Sequence, residues 1–336
     1  MQRKPLRPSV HSRRLQLFDP KLLSIGREVA FRRGERLVRQ GERSRGAFVL
    51  REGEVEAQVA LPGGGMLAVG RLGAGEMFGE MALVERGVCS ASVLAKSDVA
   101  AWFIERDDFR ALVASRDAAA LGIQRSVTRV LANKVRALNA RVRAHPAAED
   151  RPAVQATRGR REPASFDWRP FLPILAFFEG FDAHEVDDFV KDCSVFELER
   201  GAALFDAGAP ADACFVVIRG ALEVVSTSGD IERRVALAGP GELVGYMALL
   251  DQAPHSASAR VRESACVMEC PAAAFLRHYE GGGGTSVSLQ HAIHGSLLRA
   301  LARTNTQLTR LISHARLTAD RKDAVELEKA LHSQNL

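Results

Sequence analysis

The sequence has few cysteines and no long apolar run, and both absences exclude classes of protein. Its five cysteines are an odd number without a C-x-x-C pair, which excludes a disulfide framework and a structural zinc site. No stretch approaches 18 uninterrupted apolar residues, which excludes a transmembrane helix. The cysteines are Cys89, Cys193, Cys214, Cys266 and Cys270.

The composition is that of a soluble globular protein, with 46% hydrophobic and 26% charged residues. A chain of 336 residues is about right for two domains. The basic N-terminus, Met1 to Arg14, is not followed by an apolar run of signal-peptide length, so we expect a cytoplasmic protein. Basic residues without acids recur in the stretches 121–148 and 281–319. They are either solvated faces or surfaces that attract nucleic acid, an anionic membrane or an acidic protein.

An internal repeat is the most informative feature of the chain. Its period is 167 residues, falling to 166 after one loop deletion, and glycines keep their places in both copies. Between the glycines lie short apolar runs separated by turn residues, which is typical of an antiparallel roll or barrel. The matched pairs include Gly34 with Gly201, Gly41 with Gly208, Gly53 with Gly220, and the run Gly75–Leu83 with Gly241–Leu249.

A heptad-like apolar seam follows each copy. Leu131, Val135, Leu138 and Val142 recur as Leu297, Leu301, Thr304 and Leu308. Each seam is either a stripe facing its own roll or half of a helix pair, and the duplication predicts that the two helices pack in parallel, within one chain or across a swapped dimer. His291 and His294 on the second helix are interpreted as surface histidines.

The predicted fold class is therefore mainly β with flanking helices (α+β). We expect two tandem antiparallel β-roll, jelly-roll-like domains, each followed by a long helix. The predicted boundaries are a basic tail at 1–14, a first domain at 15–144, a linker rich in Pro, Ala, Arg and Glu at 145–165, a second domain at 166–316, and a charged tail at 317–336.

Each copy resembles the cyclic-nucleotide-binding domain of bacterial catabolite-activator regulators and of the regulatory subunits of cyclic-AMP-dependent kinase. The resemblance covers nearly the whole chain, and its diagnostic element is a cassette of the form Phe-Gly-Glu-x-Ala-Leu, a loop, and Arg-x-Ala. In the family, a helix N-terminus faces the cyclic phosphate, the glutamate accepts a hydrogen bond from the ribose, and the arginine pairs with the phosphate.

Both cassettes of this chain depart from that pattern. The first keeps Glu80 but has Cys89 at the arginine position, while the second has Tyr246 at the glutamate position and His255 at the arginine position. Arg86 in the first copy and a charged His255 in the second are candidates to replace the missing arginine. Tyr246 and His255 are also candidates to fill the second pocket themselves. The expected first site is Phe78, Gly79, Glu80, Met81, Ala82, Leu83, Cys89, Ser90 and Ala91. The expected second, degenerate pocket is Gly245, Tyr246, Met247, Ala248, His255, Ser256 and Ala257.

The resemblance implies a non-enzymatic bacterial sensor or adaptor that binds cyclic AMP, cyclic GMP or a cyclic dinucleotide, mainly in the first domain, and signals to a protein effector. The alternative is an interaction scaffold whose pockets have degenerated. We expect no catalytic residue, metal or cofactor, and a homodimer remains open. Only 20 residues follow Arg316, which is too few for the helix-turn-helix of the catabolite-activator relatives, so sequence-specific DNA binding is not expected.

Overall fold

The computed structural model describes residues 24–60, 66–84, 89, 91–144, 151–153, 159–228 and 230–318. They form two compact units, one ending at Val127 and the other running from Thr128 to Ala319, with the division inside a helix. Among these residues, no helix is both long enough and apolar enough to cross a membrane.

The first unit contains two four-stranded antiparallel sheets, which are not closed into barrels. The strand order is β1-β8-β3-β6 in one sheet and β2-β7-β4-β5 in the other. Its elements are β1 Arg27–Phe31, β2 Arg36–Val38, β3 Gly46–Glu52, β4 Val55–Ala60, β5 Met66–Leu72, β6 Met77–Phe78, α1 Met81–Val84, β7 Ser92–Ala95, β8 Val99–Glu105, α2 Arg106–Ala114 and the start of α3 Ala118–Ala144.

The core of the first unit is built by alternate residues of these strands. Phe48 lies at its centre, stacked on Phe78 with ring centroids 4.9 Å apart and tilted against Phe103 at 4.8 Å. Leu50 and Val55 are fully buried beside them. Because strand side chains alternate between faces, this pattern places one face of each strand in the core.

The second unit repeats the roll with longer strands. Its eight-stranded antiparallel sheet follows the order β10-β11-β16-β13-β14-β9, with β12 paired to β16 and β15 to β13. Its elements are β9 Arg151–Pro152, β10 Glu162–Pro163, a 3-10 helix Arg169–Ile174, α4 Ala183–Val190, β11 Ser194–Leu198, β12 Ala203–Phe205, β13 Ala213–Ser228, β14 Ile231–Ala238, β15 Leu243–Val244, α5 Tyr246–Asp251, β16 Ser258–Pro271, α6 Ala272–Glu280 and α7 Gly284–Thr318.

The tandem α+β architecture predicted from the repeat is thus confirmed. Of the two predicted alternatives, roll and barrel, the sheets form rolls and are not closed into barrels.

The matched glycines explain why the repeat can be recognised in the sequence. Gly53 and Gly220 both have positive φ, +91° and +83°, and a Cβ at either position would lie 2.3 Å from a backbone oxygen, that of Asp98 or Ser264. Only glycine fits such a site.

The predicted linker is partly built into the second unit. Arg151–Pro152 pairs with β14 and Glu162–Pro163 pairs with β11, each at an edge of the sheet. Proline lacks the N–H that a central strand needs, and an edge position tolerates this. The domain boundaries drawn from the repeat otherwise remain predictions.

The parallel pairing of the two long helices is confirmed within one chain. Thr128 of α3 hydrogen-bonds His294 of α7 at 2.5 Å, and Thr304 donates to the side-chain oxygen of Asn139 at 3.0 Å. The partners of the first contact are 166 residues apart, the period of the repeat, and those of the second are 165 apart, so matching stretches of the two copies lie side by side. His294 is only 2% exposed, and its interpretation as a surface histidine was wrong because this helix pair covers it.

Candidate functional site

The helix half of the first cassette has the form that the sequence predicts. Strand β6 ends at the buried Phe78, and Gly79 turns the chain with φ +74° into the short helix α1. Ala82 N–H donates to Gly79 at 2.9 Å, and Leu83, fully buried, fixes the turn to the core. A Cβ on Gly79 would also approach the Gly46 oxygen to 3.2 Å, so this turn requires glycine.

The polar groups of this turn are left available. Glu80 is partly exposed, and among the described residues its carboxylate has neither a hydrogen bond nor an ion pair. Met81 is also partly exposed, whereas Ala82 is buried. An unengaged carboxylate beside a short helix N-terminus can accept a hydrogen bond from a ligand hydroxyl.

The arginine half of the first cassette is only partly described. Cys89 and Ala91 are partly exposed, while Ser90 and the proposed substitute Arg86 lie outside the described residues. Cys89 pairs by backbone with the turn after β2: Gly41 N–H donates to its oxygen and its own N–H donates to Glu42, both at 2.8 Å. Burial, followed by the nearby Glu42 charge, raises the pKa of the Cys89 thiol, so this position carries no charge at neutral pH.

An open cleft of about 600 Å³ reaches Cys89 from the side of that turn. Leu37, Val38, Phe48 and Phe103 give the cleft apolar walls. Five arginines line it, more than any other residue type. We call it the arginine cleft, after Arg27, Arg36, Arg39, Arg43 and Arg45.

Arg106, at the start of α2, connects the cassette to the arginine cleft. Its Nε donates to the Ala82 carbonyl at 2.6 Å and its Nη2 donates to the Ser44 carbonyl at 2.7 Å. Arg106 was not among the site residues predicted from the sequence. The one indication of its role there is that the matching position of the second copy is Ala272, so this arginine belongs to the first copy alone.

The second cassette keeps the glycine turn but not the polar chemistry. Gly245 has φ +85° and opens α5, in which Tyr246 is 5% exposed. Burial raises the pKa of the Tyr246 phenol, and the charges acting on it come chiefly from Arg299, Arg303 and Arg136 of the long helices. These arginines of the long helices therefore lie near the buried Tyr246 side chain. That Tyr246 fills the second pocket stays a prediction.

His255 lies against the glycine turn of the second cassette. Its ring stacks on Phe205 with centroids 3.8 Å apart, and both rings lie within 3.4 Å of where a Cβ on Gly245 would sit. Burial lowers the pKa of His255 despite the opposing charge of Asp212, so it is not a charged replacement for the arginine. Of its neighbours, Ala257 is buried and Ser256 is exposed.

Two arginines of the long helices hold the second cassette. Arg136 of α3 donates to the Met247 carbonyl at 2.7 Å and forms an ion pair with Asp251 at the end of α5. Arg303 of α7 forms an ion pair with Glu242, just before β15. Ala248 is buried between these anchors and the core. The second cassette is therefore part of the packing of its unit.

The described residues contain no cluster of His, Cys, Asp or Glu that could hold a metal ion. Each of the two units thus combines an antiparallel roll with a glycine-turn cassette. The chain belongs to the cyclic nucleotide-binding domain family, whose model matches residues 28–116 and 195–280, more than half of the sequence.

Among curated proteins, the cyclic AMP receptor protein of Thermus thermophilus is 37% identical over 83 residues. The match covers 24% of this chain and 38% of that protein. Among solved structures, the regulatory domain of Toxoplasma gondii PKA with cAMP is 19% identical over 86% of this chain and 88% of that chain, with a TM-score of 0.31. The regulatory subunit of a cAMP-independent protein kinase A from Trypanosoma brucei is 17% identical over 84% and 79%, with a TM-score of 0.32.

Proposed function

We propose that this protein is a non-catalytic sensor that binds a cyclic nucleotide in its first roll and passes the signal to a protein effector. The observation that carries the proposal is the intact turn Gly79–Leu83. Its Glu80 carboxylate is unengaged, and the open cleft lies on the arginine side of the same cassette. Membership of the cyclic nucleotide-binding family supports this ligand class.

The second roll supports a different role. The rings of His255 and Phe205 lie together in its pocket, and Arg136 and Arg303 fix the cassette to the long helices. We propose that this roll is a ligand-independent scaffold, in which the fold is retained for packing and for contact with a partner. The scaffold alternative thus applies to one copy and the sensor to the other.

The test is a calorimetric titration of the full chain with cyclic AMP and cyclic GMP. We expect one site per chain, and we expect Glu80→Gln to weaken binding by about tenfold or more, because it removes a charge-assisted hydrogen bond to the ribose. Tyr246→Phe, at the matching position of the second copy, serves as the control and should leave the affinity unchanged. Binding that survives Glu80→Gln, or two sites per chain, contradicts the assignment.

A further inference from the structure

The charge of the arginine cleft is largely uncompensated. Arg39 forms an ion pair with Glu42 at 3.5 Å, and both side chains are more than half exposed. Arg36, Arg43 and Arg45 form no ion pair with any described residue. Among the described residues of the lining, the acids are Glu42 and Glu105 against five arginines, so this part of the cleft has an excess of positive charge. A cleft of one sign concentrates field lines and attracts ligands of the opposite sign.

The duplication provides an internal comparison, because the second copy builds the same strand and turn without these arginines. Its turn makes the same backbone pairing, with Gly208 N–H donating to His255 at 2.8 Å and His255 N–H donating to Ala209 at 3.0 Å. The fold therefore does not require the arginines. At the positions of Arg36, Arg39, Arg43 and Arg45, the second copy has Ala203, Asp206, Pro210 and Asp212.

These arginines lie next to the arginine half of the first cassette. The turn that follows β2 is bonded on both sides to the backbone of Cys89, the position at which the family pattern has its phosphate-binding arginine. Arg39 and Arg43 flank that turn, and Arg106 ties Ser44, beside it, to the cassette helix. Positive charge is thus supplied next to Cys89 by the neighbouring strand and turn.

We propose that the arginine cleft binds the phosphates of a nucleotide carrying at least two negative charges, with its arginines in place of the one missing at Cys89. This inference rests on the proposed function of the first roll. Arginine is suited to phosphate because its planar fork donates two hydrogen bonds at once. The apolar walls at Val38, Phe48 and Phe103 offer a surface for a base, and about 600 Å³ lies within the usual range of small-molecule sites. A cyclic mononucleotide, with a single charge, uses only part of this cleft.

The experiment compares three ligands that share one base on the full chain: cyclic AMP, cyclic di-AMP and adenosine 5′-diphosphate. We expect at least one of the two multiply charged ligands to bind about tenfold tighter than cyclic AMP, as an added charge-assisted pair provides. The advantage should shrink as salt is raised, because the arginines are exposed. A preference between the last two ligands separates a cyclic dinucleotide from a linear nucleotide as the source of the charge.

The decisive variant is Arg36→Ala/Arg43→Ala, which should remove the preference for the multiply charged ligand. The matched control is Arg32→Ala/Arg33→Ala, which removes the same charge from exposed positions of the same unit outside the cleft. Thermal unfolding of each variant verifies that it folds. Arg36→Lys/Arg43→Lys should restore only part of the affinity, since it keeps the charge and loses the fork.

The outcomes separate this inference from the proposed function. Glu80-dependent binding of cyclic AMP with no advantage for the multiply charged ligands overturns the inference and leaves the proposed function standing. Tighter binding of a multiply charged ligand that persists in the Arg36→Ala/Arg43→Ala variant also overturns the inference and leaves the proposed function standing. Arginine-dependent binding of adenosine 5′-diphosphate without binding of any cyclic nucleotide supports the cleft and overturns the proposed ligand. Binding of none of the three ligands overturns the inference, and it overturns the proposed function as well when cyclic GMP does not bind either.

Discussion

Cys89 and His255 occupy the same position in the two copies, and each is held by the same pair of backbone hydrogen bonds to the turn before it. The backbone at this position is therefore the same in both rolls, and the two rolls differ in the side chain that it carries. Cys89 leaves the position neutral beside an open cleft. His255 stacks its ring on Phe205.

Replacing Cys89 with arginine should therefore increase the affinity of the first roll for cyclic AMP by about tenfold or more. The new guanidinium would add a charge-assisted pair to a cassette that is otherwise intact. Calorimetry on Cys89→Arg, with Cys89→Lys as the control for charge without a fork, measures the gain. An unchanged affinity would mean that the phosphate does not lie beside residue 89.

His255 should make the second unit less stable in mild acid. Burial lowers the pKa of His255 in the folded protein below its ordinary value of 6.5. Between the two pKa values the unfolded chain therefore binds a proton at this residue and the folded chain does not. The free energy of unfolding should then decrease as the pH falls from above 6.5 to the lowered pKa, and should not decrease further below it on account of this group.

The measurement is urea unfolding followed through Trp168, in a Trp102→Phe background so that one tryptophan reports on the second unit. His255→Phe keeps a ring against Phe205 and removes the titration, so its difference from the parent isolates the effect of His255 from that of other histidines. A difference that does not vary with pH across this window contradicts the buried, neutral imidazole.

At the scale of elements, the two cassettes are fixed to their surroundings by different arginines. Arg106 fastens α1 of the first roll to the turn at Ser44, within the roll itself. Arg136 and Arg303 fasten the second cassette to α3 and α7. The first cassette therefore rests on a contact that lies next to the proposed ligand, whereas the second is part of a helix interface.

Removing the first of these contacts should loosen the first cassette. We expect Arg106→Ala to lower the free energy of unfolding of the first unit by about 1.5–3 kcal/mol, since two carbonyl oxygens lose a charged donor. Unfolding followed through Trp102 in a Trp168→Phe background measures this. Arg110→Ala, exposed on the same helix, is the control and should have little effect. Equal effects of the two variants would contradict the role given to Arg106.

At the scale of the whole molecule, the duplicated helix seam closes within a single chain. Thr128 meets His294, its equivalent in the second copy, and Asn139 meets Thr304, one position from its equivalent. Both helices of the pair, α3 and α7, therefore come from the same chain, and a second copy of the chain is not needed to form the pair.

Cysteines introduced at Val135 and Leu301, which lie between those two contacts, should cross-link within one chain. The expected product runs as a monomer on a non-reducing gel and is absent from either single variant. The native cysteines are controlled by the parent chain treated in the same way. A covalent dimer would instead indicate a swapped arrangement, and the absence of any cross-link would contradict the pairing.

The sequence by itself determined the duplication, the α+β rolls and the cassette with its missing arginine. These features are local: glycines at turns with positive φ, alternating strands, and a motif within about a dozen residues. The parallel pairing of the helices could also be predicted, because the seam recurs at the period of the repeat.

Only the tertiary structure decided which side chains gather around each cassette. The gathering of Arg36, Arg43 and Arg45 near Cys89 depends on a turn bonded to a residue nearly 50 positions away. The stacking of His255 on Phe205 and the burial of His294 likewise join distant segments. Such contacts arise from the way strands and helices cross in space, and no spacing along the chain encodes them.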